Sequence, residues 1–260
     1  MPVIGVVTCE ILELEFAYML SGDRDLAGIT VLEDAVSSGF IEALRSMERF
    51  EPRTIPMLRG FSPAFNGNTE VLVRVLELAL HNRKQLLQEG LDKAVKEMAR
   101  YVDCIVLGYG LCGNALQNPE ELFADIDVPI FIPMDEDHPV DDCVGLIIGG
   151  RENYYGEQCS EAGTFFMIAG WTRHWRRLFE KEFGRLSPQM AKRIFNGYKR
   201  SLLVPTPVCP EETMRRNIEE FNQILGFRTE VRHGTLSILY RVWEDAKKWV
   251  SESVILKKVT

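Results

Sequence analysis

The sequence predicts an α/β fold, a mostly parallel, doubly wound sheet with helices on both faces. Three observations carry that expectation. Short apolar, β-branched runs such as PVIGVVTC (2–9), DCIVLGYG (103–110) and VPIFIP (128–133) have the character of strands buried on both faces. Amphipathic stretches alternate with them, which is the βαβ pattern of a parallel sheet. The chain has 260 residues, enough to bury a large core without disulfides or structural metals.

The elements follow in order. PVIGVVTC is the first strand, and LEDAVSSGFIEALRSM (32–47) reads as a helix. RTIPML (53–58) reads as a strand and FSPAFNGN (61–68) as a turn-rich loop. TEVLVRVLELALHN (69–82) admits both periods, and Val71, Val73 and Val75 favour a strand reaching His81. QLLQEGLDKAVKEMARYV (85–102) has helical apolar spacing. After the strand at 103–110, PEELFADI (119–126) starts a helix with proline and two acids.

DDCVGLIIGGRENYY (141–155) reads as a helix beginning at Asp141 or Asp142 and breaking near Gly149 or Gly150. TFFMIAGW (164–171) is a strand, 172–200 two helices parted near Ser187-Pro188, and SLLVPTP (201–207) a strand. PEETMRRNIEEFNQILG (210–226) is a helix between proline and glycine, FRTEVRH (227–233) a strand, the next segment a helix, and SVILKK (253–258) a last strand. The expected organisation is a single α/β domain over 1–260, with room for an insertion at 30–68 and a helical subregion at 172–200.

Composition narrows the function. A formal net charge of −8 argues against general nucleic-acid binding. No apolar run approaches the ~20 residues of a membrane helix, and no signal peptide is visible at 2–8. The expectation is a cytoplasmic protein. Six cysteines, Cys9, Cys104, Cys112, Cys143, Cys159 and Cys209, lie at wide, irregular spacing. That spacing favours free thiols, some of them possible ligands, over a disulfide framework.

In doubly wound sheets, ligands bind outside the carboxyl ends of the strands. Cys9 closes the first strand, His81 the 70–81 segment, and Cys112 follows the 103–110 strand, while Cys143 opens the next long helix. The fold would bring Cys9, His81, Cys112 and Cys143 to one rim. Three thiols and an imidazole suit a tetrahedral zinc ion, and three thiolates suit an iron–sulfur cluster. A helix start at Cys143 would lower its thiol pKa. Gly108, Gly110, Gly113 and Asn114 around Cys112 make GYGLCGN a candidate cofactor-binding loop.

The competing reading is that a strand-end cysteine is a small core residue. It suits Cys104 best, and Cys159 and Cys209 carry no signal. His138 sits among Asp135, Glu136, Asp137, Asp141 and Asp142, a hard-cation candidate or a solvated loop. Arg173, Arg176, Arg177, Lys181, Arg185, Lys192, Arg193, Lys199 and Arg200 form a basic cluster, either a solvated face or a site for an anion.

Several segments resemble domain-of-unknown-function family 1638: LH at 80–81, VLGYGLCGN at 106–114, DC at 142–143 with GG at 149–150, GTFFMIAGW at 163–171 and GTLSIL at 234–239. The family pattern matches at Cys9, His81, Cys112 and Cys143. Its members come largely from anaerobic archaea and bacteria, often beside corrinoid-dependent methyltransferase systems. The resemblance thus implies, by association, anaerobic methyl or one-carbon metabolism, with corrinoid methyltransferase components as partners and a corrinoid reached through such a partner. Two departures stand out. Pro133 runs into Met134 and an acidic insertion containing His138, and the 30–68 segment is longer than usual.

Three functions remain open at this level. They are a thiolate metal protein acting in one-carbon transfer, a non-catalytic accessory protein that holds a corrinoid, metal or partner, and a metal-free enzyme using Cys112 as nucleophile with His81.

Overall fold

The structure is a computed structural model describing residues 1–65, 69–78, 80, 83–184 and 187–259, with 254–259 described as backbone. Strand β1 (Val3–Cys9) passes through a 3₁₀ turn (Glu10–Leu12) into α1 (Glu13–Gly22). Then come β2 (Leu26–Leu32), α2 (Ser38–Ser46), β3 (Arg53–Ile55), β4 (Thr69–Leu76), α3 (Lys84–Met98), β5 (Cys104–Gly108), the single turn α4 (Pro119–Leu122) and β6 (Ile130–Phe131). These strands form a six-stranded sheet in the order β3-β2-β4-β1-β5-β6. Every pairing in it is parallel, with Val6 of β1 between Val73 of β4 and Val106 of β5. The central strands are buried along their length because helices cover both faces.

The chain then makes a small hairpin, β7 (Met134–Asp135) and β8 (His138–Pro139), followed by α5 (Cys143–Ile148) and α6 (Arg151–Ser160). A second parallel sheet follows, built from β9 (Thr164–Met167), α7 (Ala169–Phe183), α8 (Pro188–Ile194), β10 (Arg200–Leu203), α9 (Glu211–Leu225) and β11 (Arg228–Val231). Its order is β11-β10-β9, so β9 is an edge. Helix α10 (Ser237–Val259) returns to pack on β5, β1 and β6 of the first sheet.

Two cores hold the sheets. The first is mainly aliphatic, around Ile4, Val6, Val73 and Val106, and takes in Phe166 and Leu202 of the second sheet. The second is aromatic, with Phe179, Phe195 and Phe221 in ring contact through Phe179. The sheets meet where α7 crosses the 3₁₀ turn behind Cys9. Gly170 approaches so closely there that a Cβ would stand 2.0 Å from the Ile11 carbonyl oxygen.

Some local expectations need correction. The strand of the 69–82 segment ends at Leu76, and His81 lies outside the described residues, as do 66–68 of the expected loop and Arg185. Residues 253–258 continue α10 as helix. The 119–126 helix is one turn, and the strand at 128–133 pairs over two residues. The 30–68 segment supplies α2 and the edge strand β3.

Among the described residues no helix is long and apolar enough to cross a membrane.

Candidate functional site

Between the two sheets lies a cavity of about 710 Å³, lined by Cys9, Cys112 and Cys143 together. Cys9 arrives as the last residue of β1, and Cys112 four residues beyond the end of β5. Cys143 is the first residue of α5, whose N-cap, Asp142, accepts a hydrogen bond from the Gly145 amide at 2.9 Å. His81, the fourth sequence candidate, lies outside the described residues. Cys104 is core, Cys159 is exposed and Cys209 is buried.

The GYGLCGN loop holds an unusual path. Cys112, Gly113 and Asn114 all have positive φ, at 44°, 64° and 65°. A left-handed run is costly for residues with a Cβ. It is held by the amides of Leu111 and Cys112, which donate to the carbonyls of Val140 (2.8 Å) and Asp141 (2.9 Å). That pairing brings the Cys112 loop against the segment leading to Cys143.

The glycines divide by role. A Cβ at Gly110 would lie 2.4 Å from the Val140 carbonyl oxygen, and one at Gly108 would lie 2.4 Å from the Thr8 hydroxyl. Both spaces are filled by protein. Gly113 faces open space, and both Gly108 and Gly113 border the cavity.

Burial dominates the electrostatics. It pushes the Cys9 thiol up to about 12, against the opposing pull of the Ile11 amide and the Tyr109 hydroxyl. Burial, then Cys9 and Asp142, push Cys112 up to about 12 as well. Cys143 is raised by burial, then by Asp142, Cys112 and Cys9. The expected lowering of Cys143 by its helix start is therefore overturned. The helix has only six residues, and a buried carboxylate sits at its cap. Cys112 is raised in part by Cys9, and Cys143 in part by both Cys112 and Cys9, which places the three sulfurs in one electrostatic neighbourhood.

Two buried polar groups beside the thiols lack partners. The Tyr109 hydroxyl lies against Cys9 without an aligned hydrogen bond, and both oxygens of Glu15 are unsatisfied. Burial pushes the Glu15 carboxyl up to about 8. Its neighbours in α1 and the preceding turn are paired. Glu13 takes His174 at 2.9 Å and Arg173 at 3.3 Å, and Glu10 takes Arg177 at 2.5 Å. Among the described residues, no group of three Cys, His, Asp or Glu side chains stands close enough to hold a metal ion.

The other sequence candidates disperse. His138 Nδ1 lies 2.6 Å from the Asp135 carbonyl within the β7–β8 hairpin. Asp135 accepts from the Arg151 amide at 2.6 Å, Asp141 pairs with the Arg151 guanidinium, and Asp137 faces solvent. The basic cluster is largely matched to acids: Arg173, Arg176, Arg177, Lys181, Lys199 and Arg200 each pair with a carboxylate.

Sequence reasoning missed the opposite wall. Tyr154, Phe165, Phe166, Trp171 and Tyr198 line the cavity from α6, the second sheet and its connections. Tyr154 donates its hydroxyl to Asp142 at 3.0 Å. These rings are separated in sequence from the cysteines, and only the meeting of the two sheets reveals them.

The family model described as "Protein of unknown function (DUF1638)" matches residues 75–243, more than half of the chain, and the chain belongs to this family. No curated protein matches the chain. Among solved structures, an N-acetyl-L-ornithine transcarbamylase aligns with 14% identity over 89% of this chain and 60% of its own, at a TM-score of 0.19. The chain thus spans less than two thirds of that protein, and so low a score supports no shared architecture.

Proposed function

We propose that the chain is a thiolate metal protein in which Cys9, Cys112 and Cys143 hold a zinc ion or an iron–sulfur cluster, and that it acts in methyl or one-carbon metabolism. The observation that carries the metal reading is the gathering of three thiols, from three separate segments, on the wall of one cavity at the carboxyl ends of β1 and β5. The one-carbon role is supported by the family resemblance.

The residues present fit a soft metal. Three thiols are the right donors for zinc or for a site-differentiated cluster. The unpartnered Tyr109 hydroxyl beside Cys9 is placed to donate to a thiolate sulfur. In the described arrangement the three sulfurs are not gathered closely enough for one centre, so loading requires them to move together. When bound, zinc would supply a Lewis acid that keeps a substrate thiol ionised at neutral pH, and a cluster would supply an electron or a Lewis-acidic iron.

The chain's own residues do the rest. Asp142 caps α5 and fixes Cys143, and the Val140 and Asp141 carbonyls fix the Cys112 loop. The aromatic wall faces the thiols across the cavity. The metal-free nucleophile has less support, because burial pushes the Cys112 thiol up, opposite to the lowering that activates a nucleophile.

The test is anaerobic purification without a metal-affinity column, followed by elemental analysis and a visible spectrum. About one zinc per chain without colour supports the zinc form. Iron with sulfide and a brown spectrum supports the cluster. Cys112→Ala should lose most of the metal, and full retention would overturn the ligand assignment.

A further inference from the structure

The cavity has a second chemical character besides its thiols. Six aromatic side chains line it, Tyr109 beside the thiols and Tyr154, Phe165, Phe166, Trp171 and Tyr198 opposite, together with the carboxylate-bearing Asp142. Among the described lining residues there is no lysine, arginine or histidine. Asp142 is satisfied by an amide and a phenol, both neutral donors, while the nearby Arg151 is taken by Asp141. The cavity thus combines a cluster of aromatic rings and a carboxylate with no compensating cation among the described lining residues. Phosphates, carboxylates and sulfonates would meet no positive partner among the described lining residues, and burying them unpaired would be costly.

We infer that this cavity binds a small organic cation, of the quaternary ammonium or sulfonium class, through the aromatic wall and Asp142. The faces of Trp, Tyr and Phe attract a diffuse cation that is weakly hydrated and has no proton to donate. Asp142 adds a charge at the boundary between that wall and the thiols, because it directly precedes Cys143. About 710 Å³ is ample for a trialkylated onium head with a tail, and is ordinary for a ligand site.

This inference rests on the proposed function in taking the cavity as the working site, and it is consistent with it. Three thiolates around a dication carry net negative charge, which favours a cationic ligand further.

The experiment uses isothermal titration calorimetry on the full chain, with two onium probes, choline and benzyltrimethylammonium. The neutral isostere of choline, 3,3-dimethyl-1-butanol, and the anion 3,3-dimethylbutyrate are the controls. At least one onium probe is expected to bind roughly tenfold or more tightly than the neutral isostere, with no detectable binding of the anion. Asp142→Asn keeps a side-chain oxygen for the cap and should erase most of the preference for charge. Trp171→Ala should weaken onium binding while leaving the circular dichroism spectrum unchanged. Equal or tighter binding of the neutral isostere, binding of the anion, or silence from both onium probes would overturn the inference. Metal content is measured on the same samples. Onium binding without metal would remove the metal reading alone, and metal without onium binding would remove this inference alone.

Discussion

At the scale of single residues, the GYGLCGN loop separates two uses of glycine. Gly110 is needed because the Val140 carbonyl oxygen occupies the space of a side chain, 2.4 Å from where a Cβ would stand. Gly113 is needed because its φ of 64° suits glycine, while nothing lies within 4 Å of its missing side chain. Gly110→Ala must therefore push backbone apart and should lower stability by about 2–4 kcal/mol. Gly113→Ala meets only the left-handed penalty, about 1–2 kcal/mol. Urea midpoints of the two variants check the order. If Gly113→Ala is the costlier, the loop is held by backbone strain more than by its pairing with the 140–142 segment.

At the scale of elements, the second sheet depends on one buried cation. Arg200 opens β10 with its side chain only 5% exposed. It donates to Thr164 of β9 at 2.7 Å, to Glu157 of α6 at 2.9 Å and to Glu230 of β11 at 2.5 Å. Arg200→Met would strand these acceptors, although Arg232 still serves Glu157 and Arg228 still serves Glu230. The expected loss is about 2–4 kcal/mol. Burial works to raise Glu157, but Arg232 and Arg200 overcome it and hold the carboxyl below its ordinary value. That stabilisation is present above the ordinary carboxylate range and lost as pH falls through the folded value. Arg200→Met should therefore flatten the acid side of a stability–pH curve as well as lower its plateau.

Legibility also varies by element. The central strands β1 and β5 and the helix α9 are readable because continuous apolar runs and a proline-to-glycine frame are strong local signals. Helix α1 and strand β2 escape such a reading. The helix carries buried Glu13 and Glu15 on positions that a periodicity argument expects to be apolar. SVILKK is helix where a strand is expected because a short apolar run looks alike in both periods, and here it extends a long helix already docked on the first sheet. At the site, the strand-end rule locates Cys9 and Cys112, since those positions follow from local pattern. The aromatic wall, Tyr109 and Glu15 come from tertiary packing, which no single segment encodes.

At the scale of the whole molecule, the three cavity thiols couple the metal reading to pH. Burial raises Cys9 and Cys112 to about 12, from an ordinary 9.0, and raises Cys143 as well. In the metal-free chain, groups raised in this way contribute stability that is fully present below about pH 9, and that is lost as pH rises towards 12. A bound metal reverses the sign. Each ligating thiol must release its proton, so affinity, and the stability it confers, rises with pH. With three thiol ligands the apparent affinity should climb by up to about 1000-fold per pH unit while all three remain protonated in the free chain. Anaerobic thermal melts at pH 7 and pH 9.5, with and without saturating zinc or a reconstituted cluster, read this directly. The difference between loaded and metal-free melting temperatures should widen at the higher pH, and other titrating groups largely cancel in that difference. Calorimetry in buffers of unlike ionisation enthalpy should count the protons released. A difference that shrinks with pH, or no proton release, would mean that the thiols of Cys9, Cys112 and Cys143 do not hold the metal.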